Sequence, residues 1–167
     1  MSMSSWTTNA YGVTNEDITT IPMSSVWPIF MAIQTAADED KLAASLHDFC
    51  ESEGITDDEM SDESKDAFIV NYYEQTTNFH IPDATAAVLA DLVARNLHIS
   101  FGNVIMEKND EGDIIVGIGA YYPWHLPEAL KHTSQEDYEN AFINAYAMFG
   151  IDGRSCCIEE QSIENWG

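Results

Sequence analysis

Residues 98–122, HISFGNVIMEKNDEGDIIVGIGAYY, decide the fold. On both sides of residues 109–112 the apolar side chains follow the two-residue period of a β-strand, and the sequence NDEG between them is typical of a tight turn. The neighbouring segments follow the longer period of a helix. The sequence therefore predicts a central β-hairpin in a largely helical chain.

Two helices are predicted in the first third of the chain. Ser24 or Ser25 is expected to cap the first of them, with Pro28 in the first turn, where a missing N–H is tolerated. Asp38 is expected to open the second helix, and Gly54 to end it, since glycine readily adopts the left-handed conformation found after helices.

A third helix is predicted to start directly after Thr56. Thr56 and Glu59 have the spacing of a capping box, in which each side chain bonds the backbone of the other residue. At about 100° per residue, the acidic residues of this helix share one side, opposite Met60, Ala67 and Phe68.

The remaining predicted elements complete the fold. They are a strand over 5–13, a fourth helix, a last helix capped by Ser134 and ended by Gly150, and a short strand over 156–160. The fourth helix is expected to start at Pro82 and Asp83, to carry the apolar residues Val88, Leu89, Leu92 and Val93, and to end near Asn96. The sequence thus predicts one α+β domain over residues 1–167. Its small antiparallel sheet combines the hairpin with the N- and C-terminal strands and packs with about five helices.

The charge of the chain is extreme. Twenty-nine acidic residues stand against six basic ones, which gives a net charge of −23 with histidine neutral. Self-repulsion at this level opposes folding, although the apolar content is sufficient for a core. Nucleic acids and anionic membranes bind clusters of Lys and Arg, so neither is expected as a partner. The composition favours a basic protein surface.

The acids concentrate between residues 38 and 66, where twelve of them accompany two lysines. If this span is largely helical, it carries one negative charge per ~3.6 Å, close to the ~3.4 Å between phosphates along one DNA strand. A continuous anionic strip is therefore expected to contact the partner. We expect the contact residues to be Asp38, Glu39, Asp40, Asp48, Glu51, Asp57, Asp58, Glu59, Asp62, Glu63 and Asp66.

The cysteines indicate a reducing compartment. There are three, two of them adjacent, and their spacing fits no disulfide framework. The N-terminal residues lack the basic and apolar regions of a signal peptide, and no apolar run approaches the ~20 residues of a membrane span. The sequence therefore predicts a cytoplasmic protein.

No enzyme, metal or cofactor site is predicted. Cys50 shares a helix side with apolar residues, which favours a buried thiol over a nucleophile. Gly117 and Gly119 lie within a strand, so close approach of a neighbouring backbone or of an aromatic ring is expected there rather than phosphate binding. His125 and His132 have no cysteine or carboxylate at zinc-site spacing. With 29 acids, no single carboxylate pair is informative.

The string at 121–125, YYPWH, is the most distinctive local feature. It is compatible with an aromatic platform for a ligand, or with a chain that leaves the sheet and packs Trp124 under the last helix. We favour packing, because aromatic residues at strand ends usually complete a core.

In size, charge and its helix-borne acid cluster, the chain resembles the small acidic inhibitors carried by phages and mobile elements. Those proteins mimic nucleic acid and occupy the DNA-binding clefts of restriction or CRISPR enzymes. The resemblance implies a non-enzymatic inhibitor that presents negative charge. Three alternatives stay open: a solvated acidic surface without a partner, a housekeeping domain of an acidic proteome, and an inhibitor or adaptor that binds by shape while its charge steers association.

Overall fold

The predicted α+β fold is confirmed by a computed structural model, which describes residues 4–119 and 128–166. Within these residues the strands are β1 (Ser5–Thr14), β2 (Ile105–Lys108), β3 (Ile114–Ile118) and β4 (Glu159–Trp166). They form one antiparallel sheet in the order β2-β3-β1-β4. The hairpin and both terminal strands therefore belong to the same sheet, as expected.

The described helices include four long ones and two single turns. They are α1 (Glu16–Thr19), α2 (Met23–Glu53), α3 (Asp62–Thr77), α4 (Ala84–Leu97), α5 (Glu128–Lys131) and α6 (Gln135–Met148). Among the residues described, no helix combines the length and the apolar character that crossing a membrane requires.

The central element is α4, which contacts α2, α3, α6 and the hairpin strands. All residues from 84 to 94 are buried, as expected of a helix that is apolar nearly all round. Asp83 caps it by accepting a hydrogen bond from the N–H of Ala86 at 3.0 Å. The predicted start and apolar character of this helix are confirmed, and its burial makes it the core of the domain.

Strands β1 and β3 approach each other closely at the centre of the sheet. A Cβ on Gly117 would lie 2.6 Å from the Cβ of Ala10, so the close backbone approach predicted there is confirmed. The side-chain amide of Asn109 donates to the carbonyl of Glu164 at 2.7 Å, which ties the hairpin turn to β4. The sheet also carries a second, small core of Ala10, Ile105, Ile115 and Ile163.

The start of the first helix differs from the prediction. It begins at Met23, because Pro22 holds an extended backbone and its carbonyl already accepts from the N–H of Ser25 at 2.9 Å. Neither Ser24 nor Ser25 is the cap. Pro28 consequently lies in the second turn, where its lack of an N–H removes one helical hydrogen bond.

The first two predicted helices are parts of α2. They meet at Asp38, whose backbone leaves the helical region at φ −163° and ψ 89°. Its carboxylate accepts from the N–H of Lys41 at 3.1 Å, as an N-cap residue does. The break at Asp38 was predicted, but the helix resumes at once. Gly54 ends α2 with φ +69°, also as predicted.

The third helix starts later than its capping box indicates. The box between Thr56 and Glu59 is present, but it closes one turn of 3-10 helix. Met60 then takes an extended backbone and buries its side chain, so α3 begins only at Asp62. The prediction that this helix starts directly at Thr56 was wrong, because a capping box specifies one turn and leaves the conformation of the next residues open.

Two predicted strands have different bounds. Residues 98–104 are not a strand, since His98 takes a left-handed conformation that ends α4 and Phe101–Asn103 forms a 3-10 turn. The last strand was expected at 156–160. It begins at Glu159 and extends to Trp166, because it pairs with β1 from Gly12 back to Ser5. The aromatic string at 121–125 lies outside the described residues.

Candidate functional site

The predicted acidic surface is largely exposed to solvent. Ten of the eleven expected contact residues are exposed, and Asp66 is half-buried. Within the described chain, no Lys or Arg forms an ion pair with any of the eleven. Lys65 lies over the ring of Trp27, 5.7 Å from its centroid. This surface therefore presents its carboxylates to solvent.

The second half of α2 carries the clearest row of acids. At about 100° per residue, Asp40, Asp48 and Glu51 lie opposite the buried Leu42 and Leu46. The row is ~16 Å long at 1.5 Å per residue. We call these three carboxylates the α2 face.

His47 adds a titratable group to this row. Its Nε2 lies 3.3 Å from a carboxylate oxygen of Glu51, and ligand atoms of His47, Asp48 and Glu51 lie within 4.8 Å of one another. All three side chains are exposed, whereas metal centres orient their ligands through hydrogen bonds from a surrounding shell. We therefore assign this cluster to the acidic surface. His47 was not among the predicted site residues, although its spacing to Glu51 is that of neighbours on a helix.

The turn between α2 and α3 uses two of its acids internally. Glu59 accepts from the N–H and hydroxyl of Thr56, at 3.3 and 2.9 Å. Asp57 accepts a hydrogen bond from the thiol of Cys50, and burial together with this charge raises the pKa of Cys50. The thiol is therefore buried and protonated, in agreement with its predicted place in the core. Asp58 is exposed between them.

The acids of α3 lie around a groove. Asp62, Glu63 and Asp66 line a groove of about 540 Å³ together with Asp83, which precedes α4. We call the groove that these four carboxylates line the α3 groove. Burial, and then the charge of Asp83, raises the pKa of Asp66, while Lys108 lowers it. Asp83 was not among the expected contact residues, because the sequence around it indicated only the start of a helix.

The acids of the second and third predicted helices do not form one strip. Asp48 lies in a different groove, between α2 and α3, with Asn71 and Gln75. Viewed along the axis of α3, Asn71 and Gln75 lie about half a turn away from the acids that line the α3 groove. Ala67, expected opposite the acids, is exposed and lines the groove with them. Of the three residues predicted opposite the acids, Met60 and Phe68 are buried, and the prediction was wrong only for Ala67. The helix starts later than predicted, at Asp62.

A buried carboxylate occurs elsewhere, in a structural network. Asp91 of α4 is 6% exposed and accepts from the hydroxyl of Tyr73 at 2.7 Å and from Nε of Arg95 at 2.8 Å. Burial, and then the charge of Asp91, keeps the pKa of Tyr73 well above its ordinary value. The phenol therefore stays neutral and donates. The network ties α3 to α4.

Known proteins provide no relative from which to transfer a role: no protein family, no curated protein and no solved structure matches this chain. The charge, the exposure and the neighbours of the acidic surface are therefore the features that bear on function.

Proposed function

We propose that the protein is a non-enzymatic inhibitor that presents its acidic surface, in the cytoplasm, to a basic nucleic-acid-binding enzyme in place of DNA. The observation that supports this most strongly is the exposure of ten of the eleven acids without a Lys or Arg partner among the described residues. A cleft built for phosphates attracts such a surface. Restriction and CRISPR enzymes are the proposed targets, in line with the resemblance in size and charge.

The geometry favours mimicry of charge over mimicry of phosphate spacing. The break at Asp38 and the turn after Gly54 divide the acids into short groups. A partner would therefore meet a strong negative field rather than a regular row. Association of this kind is fast and depends strongly on ionic strength, because the protein's carboxylates displace salt anions from the partner's Lys and Arg.

A plating assay tests the proposal. The protein is expressed in bacteria that carry a defined restriction or CRISPR system, and phage plating efficiency is measured. We expect plating to rise with the native protein and to fall back when Asp40, Asp48 and Glu51 are all changed to Lys, because this reverses the α2 face.

The matched control reverses three exposed acids elsewhere, Glu139, Glu160 and Glu164. It changes the net charge by the same amount and should retain inhibition. Unchanged plating with the native protein in each of a representative set of such systems would remove the basis for the proposed targets. Equal loss in both variants would mean that net charge matters and not this surface.

A second candidate function is binding by shape, with the charge only steering association. It is favoured by Phe79, which is 51% exposed over an aromatic groove. If the protein binds by shape, an excess of duplex DNA does not displace it from its target. Added salt then lowers the association rate without raising the dissociation rate. Under the first proposal, duplex DNA displaces the protein.

A further inference from the structure

A small aromatic groove lies beside β2, and none of its lining residues belongs to α2. It has a volume of about 290 Å³ and is lined by residues that include Phe79, Phe101 and Met106. The ring of Phe79 lies against Gly102, where a Cβ would come within 2.8 Å of it. Phe101 stacks on Tyr73 with ring centroids 5.3 Å apart. The hydroxyl of Tyr73 donates a hydrogen bond to Asp91. Because Phe101 stacks on this fixed ring, the aromatic floor of the groove is held in position.

Strand β2 is at the edge of the sheet, and of the described residues only those of β3 pair with it. The N–H of Asn109 donates to the carbonyl of Asp113, so this pair is hydrogen-bonded. Bonding alternates along an antiparallel pair. Met106 and Lys108 therefore direct their backbone N–H and C=O groups away from β3, toward the open edge. An edge of this kind is a template for another strand.

The aromatic groove adjoins the α3 groove. Pro82 lines the first and Asp83 lines the second. Lys108 is near enough to Asp66 to lower the pKa of that carboxyl. The aromatic groove, the open edge of β2 and the four carboxylates of the α3 groove thus lie next to one another on the surface.

We propose that the edge of β2 binds an extended segment of a partner protein. An apolar side chain of the segment enters the aromatic groove, and flanking Lys or Arg side chains reach the α3 groove. Charge complementarity selects this occupant: an acidic segment meets repulsion from the four carboxylates, and a second copy of this chain brings a further net charge of −23. Backbone bonds to the edge supply affinity, as in other cases of strand addition.

The edge of β2 and its two grooves do not include the α2 face, although Asp62, Glu63 and Asp66 of the α3 groove also belong to the predicted acidic surface. The inference therefore adds a second partner site to the proposed inhibition of an enzyme. The segment can belong to the same target or to another protein. Either surface can fail its test while the other passes.

A synthetic peptide tests the inference. The probe is about eight residues long, has blocked ends, and alternates Val and Phe with Lys and Arg. Binding to the ¹⁵N-labelled protein is monitored by NMR. We expect the amide signals of Gly102, Met106 and Lys108 to shift, and the same peptide N-methylated at alternate amides to lose binding, since it cannot pair with the edge.

Protein variants sharpen the test. Phe79→Ala should weaken the peptide about tenfold or more, as expected for an anchor residue. Asp62→Asn combined with Glu63→Gln should weaken it by a smaller factor, and the control Glu139→Gln with Glu164→Gln should not. The amide spectrum of each variant shows whether it is folded, and the N-methylated peptide tests the edge without any substitution.

Three results would overturn the inference. One is the absence of binding by the unmodified peptide. Another is binding that survives both N-methylation and Phe79→Ala, which indicates charge attraction alone. The third is a set of shifts confined to the α2 face. Reversal of the α2 face should leave the shifts at Met106 and Lys108 unchanged, and this separates the inference from the proposed function.

Discussion

Helix α4 and the acidic segment at 38–66 are both rich in helix, yet they differ in burial. Most of α4 is buried, whereas the charged side chains of the acidic segment are mostly exposed. Every residue of α4 from 84 to 94 is buried, and its one acid in that range, Asp91, has two hydrogen-bond partners. The acidic segment has twelve acids and leaves most of them exposed without Lys or Arg partners in the described chain. Stability is thus concentrated in one helix, and charge in another region.

This division has a physical consequence. Burial of apolar side chains stabilises the domain, while repulsion among exposed carboxylates opposes it. Changes in α4 should therefore alter stability strongly and binding indirectly. Changes in the α2 face should alter binding strongly and stability little.

The largest effect on stability is expected from Leu89→Ala in α4. Leu89 is fully buried, so its truncation leaves a cavity and should lower the free energy of unfolding by about 3 kcal/mol. Urea denaturation measures this, with Asp48→Ala on the exposed side of α2 as the control. Equal effects of the two substitutions would contradict the contrast between the two regions.

A smaller loss, of about 2 kcal/mol, is expected from Asp91→Leu, because the buried hydroxyl of Tyr73 then lacks an acceptor. Adding Tyr73→Phe should recover part of the loss, since both polar groups are then absent. A double-mutant cycle measured by urea denaturation gives the coupling. Strictly additive losses would mean that the hydrogen bond does not link α3 to α4.

Reversal of the α2 face should change stability by less than about 1 kcal/mol. The sign should be stabilising at low ionic strength, because the three new Lys reduce repulsion, and the gain should fade at about 0.5 M salt. Thermal unfolding at both salt concentrations measures it. A variant that is already unfolded at about 25 °C at either salt concentration would contradict a purely superficial role for these acids.

The smallest effect concerns pH and Asp66. Its pKa in the folded protein is above the ordinary value of 3.8, so the folded state holds the proton more tightly than the unfolded chain. The associated stability is present below the unfolded pKa and is lost as pH rises through the folded pKa. Asp66→Asn should therefore slightly raise the free energy of unfolding at neutral pH and give no gain at about pH 3.

Urea denaturation at the two pH values measures the effect of Asp66→Asn, and Asp40→Asn controls for the loss of one exposed charge. A gain from Asp66→Asn that is as large at acidic as at neutral pH would contradict the assigned burial of this carboxyl.

Local signals in the sequence predicted the elements with local causes. The turn at 109–112, the break at Asp38 and the helix start at Asp83 each depend on a few neighbouring residues, and all three are present. The start of α3 was not predictable from its capping box. Burial of Met60 sets it, and that burial depends on distant parts of the chain.

The candidate surface was predictable in its composition but not in its arrangement. Ten of the expected contact acids are exposed, as a solvated charge cluster requires. Helix packing places Asp66 opposite Asp83 and separates the acids of α3 from Asp48, and single-helix periodicity does not contain this information. The edge of β2 beside Phe79 likewise depends on sheet order.

The most direct test of the central claim compares two variants of equal net charge. One reverses Asp40, Asp48 and Glu51, and the other reverses Glu139, Glu160 and Glu164. Their dissociation constants for the inhibited enzyme are measured across a salt series. We expect the first variant to lose about a hundredfold in affinity and much of its salt dependence, and the second to change by less than about threefold. Equal dissociation constants for the two variants would contradict this claim.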